Sequence, residues 1–580
     1  MKIKFILFLI LLGLSFAPLH GQTFGYPIDG EPWYYIEVEF FDKEKLGGGE
    51  WTITSVAVDN LNIRDYSLFQ DRSKVYDRKI SGDLSFKLKA RFNWEGGQEY
   101  TLSVNVDNVE SKTSTSLKRS VTSPSQKGYW NPEWKNYLSL RIMENNKHER
   151  TNYPVHITVG VLSQYFHGPE EIRVIRPAWK GKNVVYTEIP SQVYDVVEWK
   201  DKKLLSIEEK DEETGQVITR YHPTTTFSLA FLADLKRYAK ASFLIFYNNS
   251  AAVRPEYPTD LSVEGQGLGK TVSNAFYEVT LDEKSGMIFG IVEKNTGLKL
   301  EHKLETNGAV HWNPGVYSPP HAWSHCSDWE NPDYTEITGP VFYSLQRRAP
   351  LPHLDDVHIS INYYFYKDCP FILMESTMLI NDNLYVKALR NGEIVFSKQV
   401  FDKAAYKTPR GRTVTVDFSR TRKHPEHAAV LSPDTPWITL FNKDKNIAFT
   451  SLFLQHAESN LYGGPAAQQQ PYIYIQHGPW YYFSRAFVYS FGSNNQSRML
   501  PVTKGSIYYE KNAWIPFSFK KKKEYIHLAD TYFNMLKHPL QISENIETYR
   551  ESPHGWLVPI LTEPFDEGVK KSIGGKKKKK

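Results

Sequence analysis

Residues 274–302 read NAFYEVTLDEKSGMIFGIVEKNTGLKLEH. Apolar and polar residues alternate in short runs, separated by Lys284-Ser285-Gly286 and Asn295-Thr296-Gly297. A period of two turns one face of each run toward a core, and polar turns with glycine reverse the chain. The stretch predicts two or three antiparallel strands that open a larger all-β region running to about Phe519.

The same pattern continues downstream in VHISINYYFY (357–366), FILMESTMLI (371–380), PWITLFN (436–442), NIAFTSLFLQ (446–455) and GSIYYEKNAWIPF (505–517). No short-period repeat occurs, which disfavours propellers and solenoids. Upstream, YYIEVEFF, EWTITSVAV, LSFKLKARF and EYTLSVNV alternate between glycine-rich turns over residues 34–121, and a second strand-rich stretch covers 137–249. Helical periodicity is confined to residues 523–537. The predicted organisation is a signal peptide (1–21), an N-terminal β-sandwich module (22–127), a second one (128–255), a large antiparallel supersandwich carrying catalysis (256–522), and a C-terminal helix with a basic tail (523–580).

The bulk properties bound the function. A chain of 580 residues is too long for a single core. Its 36 tyrosines and 14 tryptophans suit β-sheets, and aromatic faces also stack on sugar rings. The formal charge of +5 contains the five lysines Lys576–Lys580, so the remainder is neutral, 5 − 5 = 0, and nucleic acid is disfavoured as a partner. Lys2 and Lys4, the apolar residues 5–16 and the small residues Ala17 and Gly21 read as a secretory signal cleaved near Gln22, with no lipid-anchor cysteine after it. No later run is apolar enough for a membrane-spanning helix. The expected location is the periplasm or the exterior. Cys326 and Cys369 either pair or remain buried thiols. The oligomeric state leaves no mark in the sequence.

Residue types able to do chemistry concentrate in 311–393. In HAWSHCSD (321–328), His321 and His325 stand four apart with Asp328 three further on, between Pro319-Pro320 and Pro332. Such a loop can bring His321, His325 and Asp328 onto a divalent metal, zinc or calcium, or offer His321 and His325 as catalytic groups, with Trp323 as a stacking face. Arg347, Arg348 and His353 precede a strand, where they would clamp an acidic sugar or lie solvated. Arg390 stands before Asn391-Gly392, a strong hairpin-turn signal, and is a candidate carboxylate partner.

A second cluster, IQHGPWYYFSRAFVY (475–489), supplies His477, Trp480, Tyr481, Tyr482 and Arg485. Alternation sends Tyr481 and Arg485 to one face and Tyr482 to the other. Tyr481 with His477 is the expected acid/base set, Arg485 the charge neutraliser and Trp480 a stacking platform. The two stretches are expected to meet in one groove, with His456 and Tyr462 on its rim.

NAFYEVTLDEKSGMIFGI resembles the entry strands of the galactose-mutarotase-like supersandwich found in polysaccharide lyases and some glycosidases. HWNP (311–314), SDW (327–329), GPVFY (339–343), MESTM (374–378) and ALRNGE (388–393) resemble parts of exported carbohydrate-active enzymes. The family resembled is the all-β ulvan lyases, over about residues 261–519. That resemblance implies β-elimination on an acidic, uronate-containing and sulfated polysaccharide. The family's catalytic residues do not map motif by motif, so the site assignment rests on chemistry: a lyase must neutralise a carboxylate, remove the adjacent proton and protonate the leaving oxygen. Two other readings stay open. A glycoside hydrolase would draw two carboxylates from Asp328, Asp333, Asp355, Asp356 and Glu375, and a glycan-binding protein would need no catalysis.

Overall fold

The computed structural model describes residues 22–558 except 25–33, 60, 64–65, 72, 93–97, 123–129, 132, 181–182, 201–204, 212, 302–310, 312, 397–399, 419–428, 463–470, 478–480, 492–497, 522 and 545–554. The expected leader (1–21) and lysine tail (576–580) lie outside the described residues. Every named strand pairs antiparallel, and the chain is all-β as the alternation predicted.

The N-terminal strands form two facing sheets. Glu50–Val58 and Glu99–Asn108 belong to one, Tyr34–Phe40 and Phe86–Phe92 to the other. Their inward residues, among them Val38, Trp51, Val56, Leu88 and Val104, share one core. A second pair of sheets is built on Asn136–Met143 with Lys240–Tyr247, and on Arg150–Leu162 with Thr224–Leu235. Both sheets recruit the chain's far end: Gln541–Glu544 pairs with Asn136–Met143, and Gly555–Val558 pairs with Arg150–Leu162. The region expected as a helix and tail thus contributes strands to the second sandwich, a long-range pairing that local patterning does not encode.

The third and largest unit opens with the meander of residues 274–302, seen as Tyr277–Leu281, Ile288–Glu293 and Leu298–Glu301. A nine-stranded sheet then runs from Asp333–Thr338 through Phe342–Leu351, Leu354–Tyr366, Ile372–Ile380, Ile507–Ser518 and Ile447–Ser459 to Thr413–Asp417. A six-stranded sheet faces it, in the order Ser324–His325, Gly315–Tyr317, Ala388–Phe396, Tyr481–Tyr489, Tyr472–His477, Ala429–Leu431. Between them lies a core that includes Ile361, Met374, Leu389, Phe449, Phe483 and Trp514.

The outer face of the nine-stranded sheet is covered in part by the helix Glu524–Lys537, whose buried Tyr525, Ala529 and Met535 pack against Trp437, Phe441 and Leu452. Arg150 ties this helix to the second sandwich. Its guanidinium pairs with buried Glu144 and donates to the carbonyls of Met535 and His538, where the helix end is electronegative. Cys326 and Cys369 are both buried and unpaired, so neither forms the disulfide considered from sequence. No helix among the described residues is long and apolar enough to cross a membrane.

Candidate functional site on the outer face of the six-stranded sheet

The strand Ala388–Phe396 is buried along all nine residues and does not turn at Asn391-Gly392. Its register with Tyr481–Tyr489 shifts between Asn391 and Ile394, where three steps on one strand oppose two on its neighbour. This is a β-bulge, and Gly392 occupies it at φ 62. The expected hairpin is thereby corrected. The same Asn-Gly preference for positive φ serves a bulge within a continuous strand. Without the extra residue Arg390 and Glu393 would point to opposite faces; with it they share the outer one. Asn391 turns inward instead, where its Nδ2 donates to Ser376 Oγ at 2.6 Å.

On that outer face the registers of four neighbouring strand pairs set His325, Gly315, Arg390, Ala486 and Tyr472 in one row. Gly315 has no side chain to block its neighbours. A Cβ there would collide with His325 Cδ2 and lie 2.5 Å from Asn313 Oδ1. The imidazole therefore leans across the glycine strand toward Arg390.

Arg390 is 7% exposed and held on three sides. Its Nη1 donates to Tyr474 Oη at 2.7 Å and lies 3.1 Å from Glu393 Oε2. Its guanidinium carbon lies 4.0 Å from the Trp323 ring centroid. Glu393 Oε2 also accepts from Asn313 Nδ2 at 3.0 Å, while Oε1 has no partner among the described residues. Burial pushes the Glu393 carboxyl up to about 6 against the opposing pull of Arg390 and the Asn313 amide. Burial likewise raises Tyr474 and Tyr482, which stay protonated phenols.

His325 stacks on Trp323 at 5.5 Å between centroids, with the planes 7° apart. Asp328 stands beside the Nδ1 edge of the ring. Its Oδ2 lies 3.4 Å from Nδ1 and accepts from the His325 backbone N–H at 2.9 Å, and its own backbone N–H meets the imidazole in a reciprocal cap. Burial holds His325 below the usual imidazole range. Asp328 opposes that shift and Arg390 adds to it, so the ring is neutral at neutral pH. Tyr317 stacks on the Trp323 indole and on Phe491, and Lys387 Nζ stands 5.9 Å from the Phe491 centroid. Trp323, Tyr317 and Phe491 form one aromatic cluster, with Arg390 against the indole and Lys387 against Phe491.

The structure brings together His325, Asp328, Trp323 and Arg390 from the expected set, and separates the rest. Tyr481 and Arg485 do share a face, but it is the inner one. Arg485 is fully buried between the sheets, donating from Nε to Glu510 Oε1 at 2.8 Å, and Tyr481 stacks on Phe418 at 3.9 Å. The expected pairing of Tyr481 as acid/base with Arg485 as neutraliser is therefore turned away from the Arg390 face. Arg347 is also interior, its guanidinium 4.3 Å from the Tyr363 centroid, whereas Arg348 is exposed. His321 is exposed and stacks on His353, away from the His325–Asp328 pair. Among the described residues no three His, Cys, Asp or Glu side chains could hold a metal ion, so His321, His325 and Asp328 do not assemble the expected centre. The backbone of His477 pairs with Tyr481; the His477 side chain and Trp480 lie outside the described residues.

Glu393, Asn313, Tyr474 and Ser484 were missed. The available signals were an acid inside a strand of apolar residues, ALRNGEIVF, and the alternate tyrosines of YIYIQ, both of which mark a polar face beneath a cover.

No protein-family model and no curated protein sequence matches the chain. Among solved structures it is similar to an α-mannosidase from Enterococcus faecalis V583 (TM-score 0.44, 10% identity, 72% of this chain and 47% of that one). It is also similar to a galactose mutarotase-like protein from Lactobacillus casei ATCC 334 (0.29, 9%, 44% and 100%) and a GH36 α-galactosidase from Geobacillus stearothermophilus (0.23, 10%, 44% and 40%). The chain spans about half the length of the α-mannosidase it matches. All three scores are below 0.5, and the chemistry of the site has to be read from its own residues.

Proposed function

We propose that the protein is a carbohydrate-active enzyme that cleaves a uronate-containing polysaccharide by β-elimination on the outer face of the six-stranded sheet. The observation that carries this reading is a neutral imidazole, His325, and a buried guanidinium, Arg390, both packed against one indole, Trp323.

In this reading Arg390 neutralises the substrate carboxylate, which makes the adjacent C5 proton acidic and stabilises the enolate that forms. His325, oriented by Asp328, takes the C5 proton on its imidazole. The C4–O4 bond breaks as the C4–C5 double bond forms, and the Tyr482 phenol gives its proton to O4. Glu393, Asn313 and Tyr474 position Arg390. Trp323 moves off the guanidinium to admit the carboxylate and then stacks on the sugar.

Glu393 favours a second reading. A buried carboxyl raised to about 6 suits the general acid of a glycoside hydrolase. The two separate on product. Elimination creates a conjugated unsaturated uronate with new ultraviolet absorbance, and hydrolysis shortens the polymer without it. Incubation with a panel of polyuronates, sulfated and unsulfated, followed for both absorbance and reducing ends, decides between them.

A further inference from the structure

The second sandwich packs on the outer face of the nine-stranded sheet, and half-buried polar residues of both flank that contact, which we take as a cleft. At the base of the cleft, His156 hydrogen-bonds through one ring nitrogen to Tyr194 Oη (2.8 Å) and through the other to Tyr366 Oη (2.9 Å). Gln192 Oε1 accepts from the backbone N–H groups of Val341 and Phe342 at 3.1 and 3.0 Å. The junction is thus fixed by directional bonds as well as by packing.

Beyond that base both walls are polar and half-buried rather than apolar. On the second sandwich Tyr194 and Thr158 each pair with Ser228 in register, continuing the face that carries His156. On the nine-stranded sheet Asn362, Glu375 and Lys511 stand in register across three strands, and Ser360, Thr377 and Tyr509 form the next row. All six are on the outer face, opposite the core. Glu375 and Lys511 meet at 2.6 Å and cancel each other's charge. Tyr364, next along the strand from Asn362, packs at the foot of the wall against His156 and Phe342. Asn362 Oδ1 is buried and has no hydrogen-bond partner among the described residues, which costs stability unless something in the cleft bonds it.

We infer that this cleft is a second carbohydrate-binding site, and that it takes an uncharged sugar. Phenol faces and edges from Tyr194 and Tyr509 suit the apolar face of a pyranose, and the amide and hydroxyl groups match its ring hydroxyls. The internally neutralised Glu375–Lys511 pair offers no net charge to a carboxylate or sulfate. The Arg390 face carries Lys387 in addition to the Arg390–Glu393 ion pair, and so has the opposite preference. The two sites divide a heteropolymer between them by charge. The assignment stands on the cleft's own residues and holds whichever reaction runs at Arg390.

Calorimetric titration of the full chain with neutral hexose and pentose oligosaccharides tests this, using Asn362→Leu, Tyr509→Phe and Arg390→Met. The expected result is binding of at least one neutral oligosaccharide, weakened about tenfold or more by Asn362→Leu, less by Tyr509→Phe, and unchanged by Arg390→Met. Thermal unfolding of each variant separates lost binding from lost folding, and Tyr509→Phe keeps the ring if Asn362→Leu does not fold. The inference is overturned if no neutral oligosaccharide binds, if binding survives both cleft substitutions, or if Arg390→Met abolishes it.

Discussion

The Arg390 guanidinium carbon lies 4.0 Å from the centre of the Trp323 ring, which shields the cation from solvent while Glu393 and Tyr474 fix it from the sides. A cation placed over an indole in a desolvated setting gains roughly 2 kcal/mol. That gain keeps a charged side chain on a sheet face where it is otherwise costly to bury. The site is therefore preorganised, with its charge in place before any ligand arrives.

Glu393 gives this arrangement a measurable pH dependence. Its folded carboxyl titrates near 6 rather than 4.5, so it binds its proton more tightly folded than unfolded. Below pH 4.5 the group is neutral in both states. As pH rises through 6 the unfolded chain releases the proton more readily, and about 2 kcal/mol of stability is lost. Glu393→Gln, which imitates the protonated acid, should match the wild type below pH 4.5 and exceed its unfolding free energy by about 2 kcal/mol at pH 7. Urea unfolding at both pH values checks this. A variant less stable than wild type at pH 7 contradicts it.

With His325 as the proposed base, its titration sets the acid limb of turnover. Its pKa lies below the usual 6.5, so the base stays unprotonated at pH 6.5 and activity falls only at lower pH. Asp328 raises that pKa, and Asp328→Asn should move the limb to still lower pH while reducing the maximal rate about tenfold or more through loss of ring orientation. A kcat/KM profile that falls above pH 6.5, or shifts upward in the variant, removes His325 from the role of base.

Much of this was legible in the sequence, and its failures have physical causes. Alternation in residues 274–302 marked two or three strands, where the structure has Tyr277–Leu281, Ile288–Glu293 and Leu298–Glu301, and alternation also put Tyr481 and Arg485 on a common face. Which face met the core was not encoded locally, because a strand covered on both sides shows little contrast between them: Tyr481–Tyr489 is buried at seven successive positions. At Asn391-Gly392 the sequence signal was a request for positive φ, which a hairpin and a bulge satisfy equally. The His321–His325 spacing suggested partners, yet the loop presents one ring to solvent and folds the other under Trp323.

Gly315 makes the approach of His325 to Arg390 possible. Gly315→Ala places a methyl group in the space held by the imidazole and by the Asn313 amide, so both must shift. Activity should drop about a hundredfold, since displacements of about 1 Å in reacting groups are this costly. The melting temperature should fall by only a few degrees. Equal activity in the variant shows that the His325–Arg390 geometry does not govern the reaction.

Arg150 tests the joint between the second sandwich and the C-terminal helix. Arg150→Met strands the buried Glu144 carboxylate and frees the carbonyls at Met535 and His538. The cost should be about 3–5 kcal/mol, read from urea unfolding at neutral pH, and smaller at a pH low enough to protonate Glu144, whose carboxyl is held below its usual range in the intact fold. A loss below about 1 kcal/mol contradicts this account of the joint.

The central claim is that Arg390 and His325 act together on a uronate. Its most direct test is the ultraviolet absorbance of unsaturated uronate during incubation of the protein with polyuronates, alongside Arg390→Met and His325→Ala. The predicted result is absorbance that grows with time in the wild type and falls by about a hundredfold or more in rate in each variant. Polymer shortening without new absorbance, or absorbance that grows equally fast in both variants, contradicts the claim.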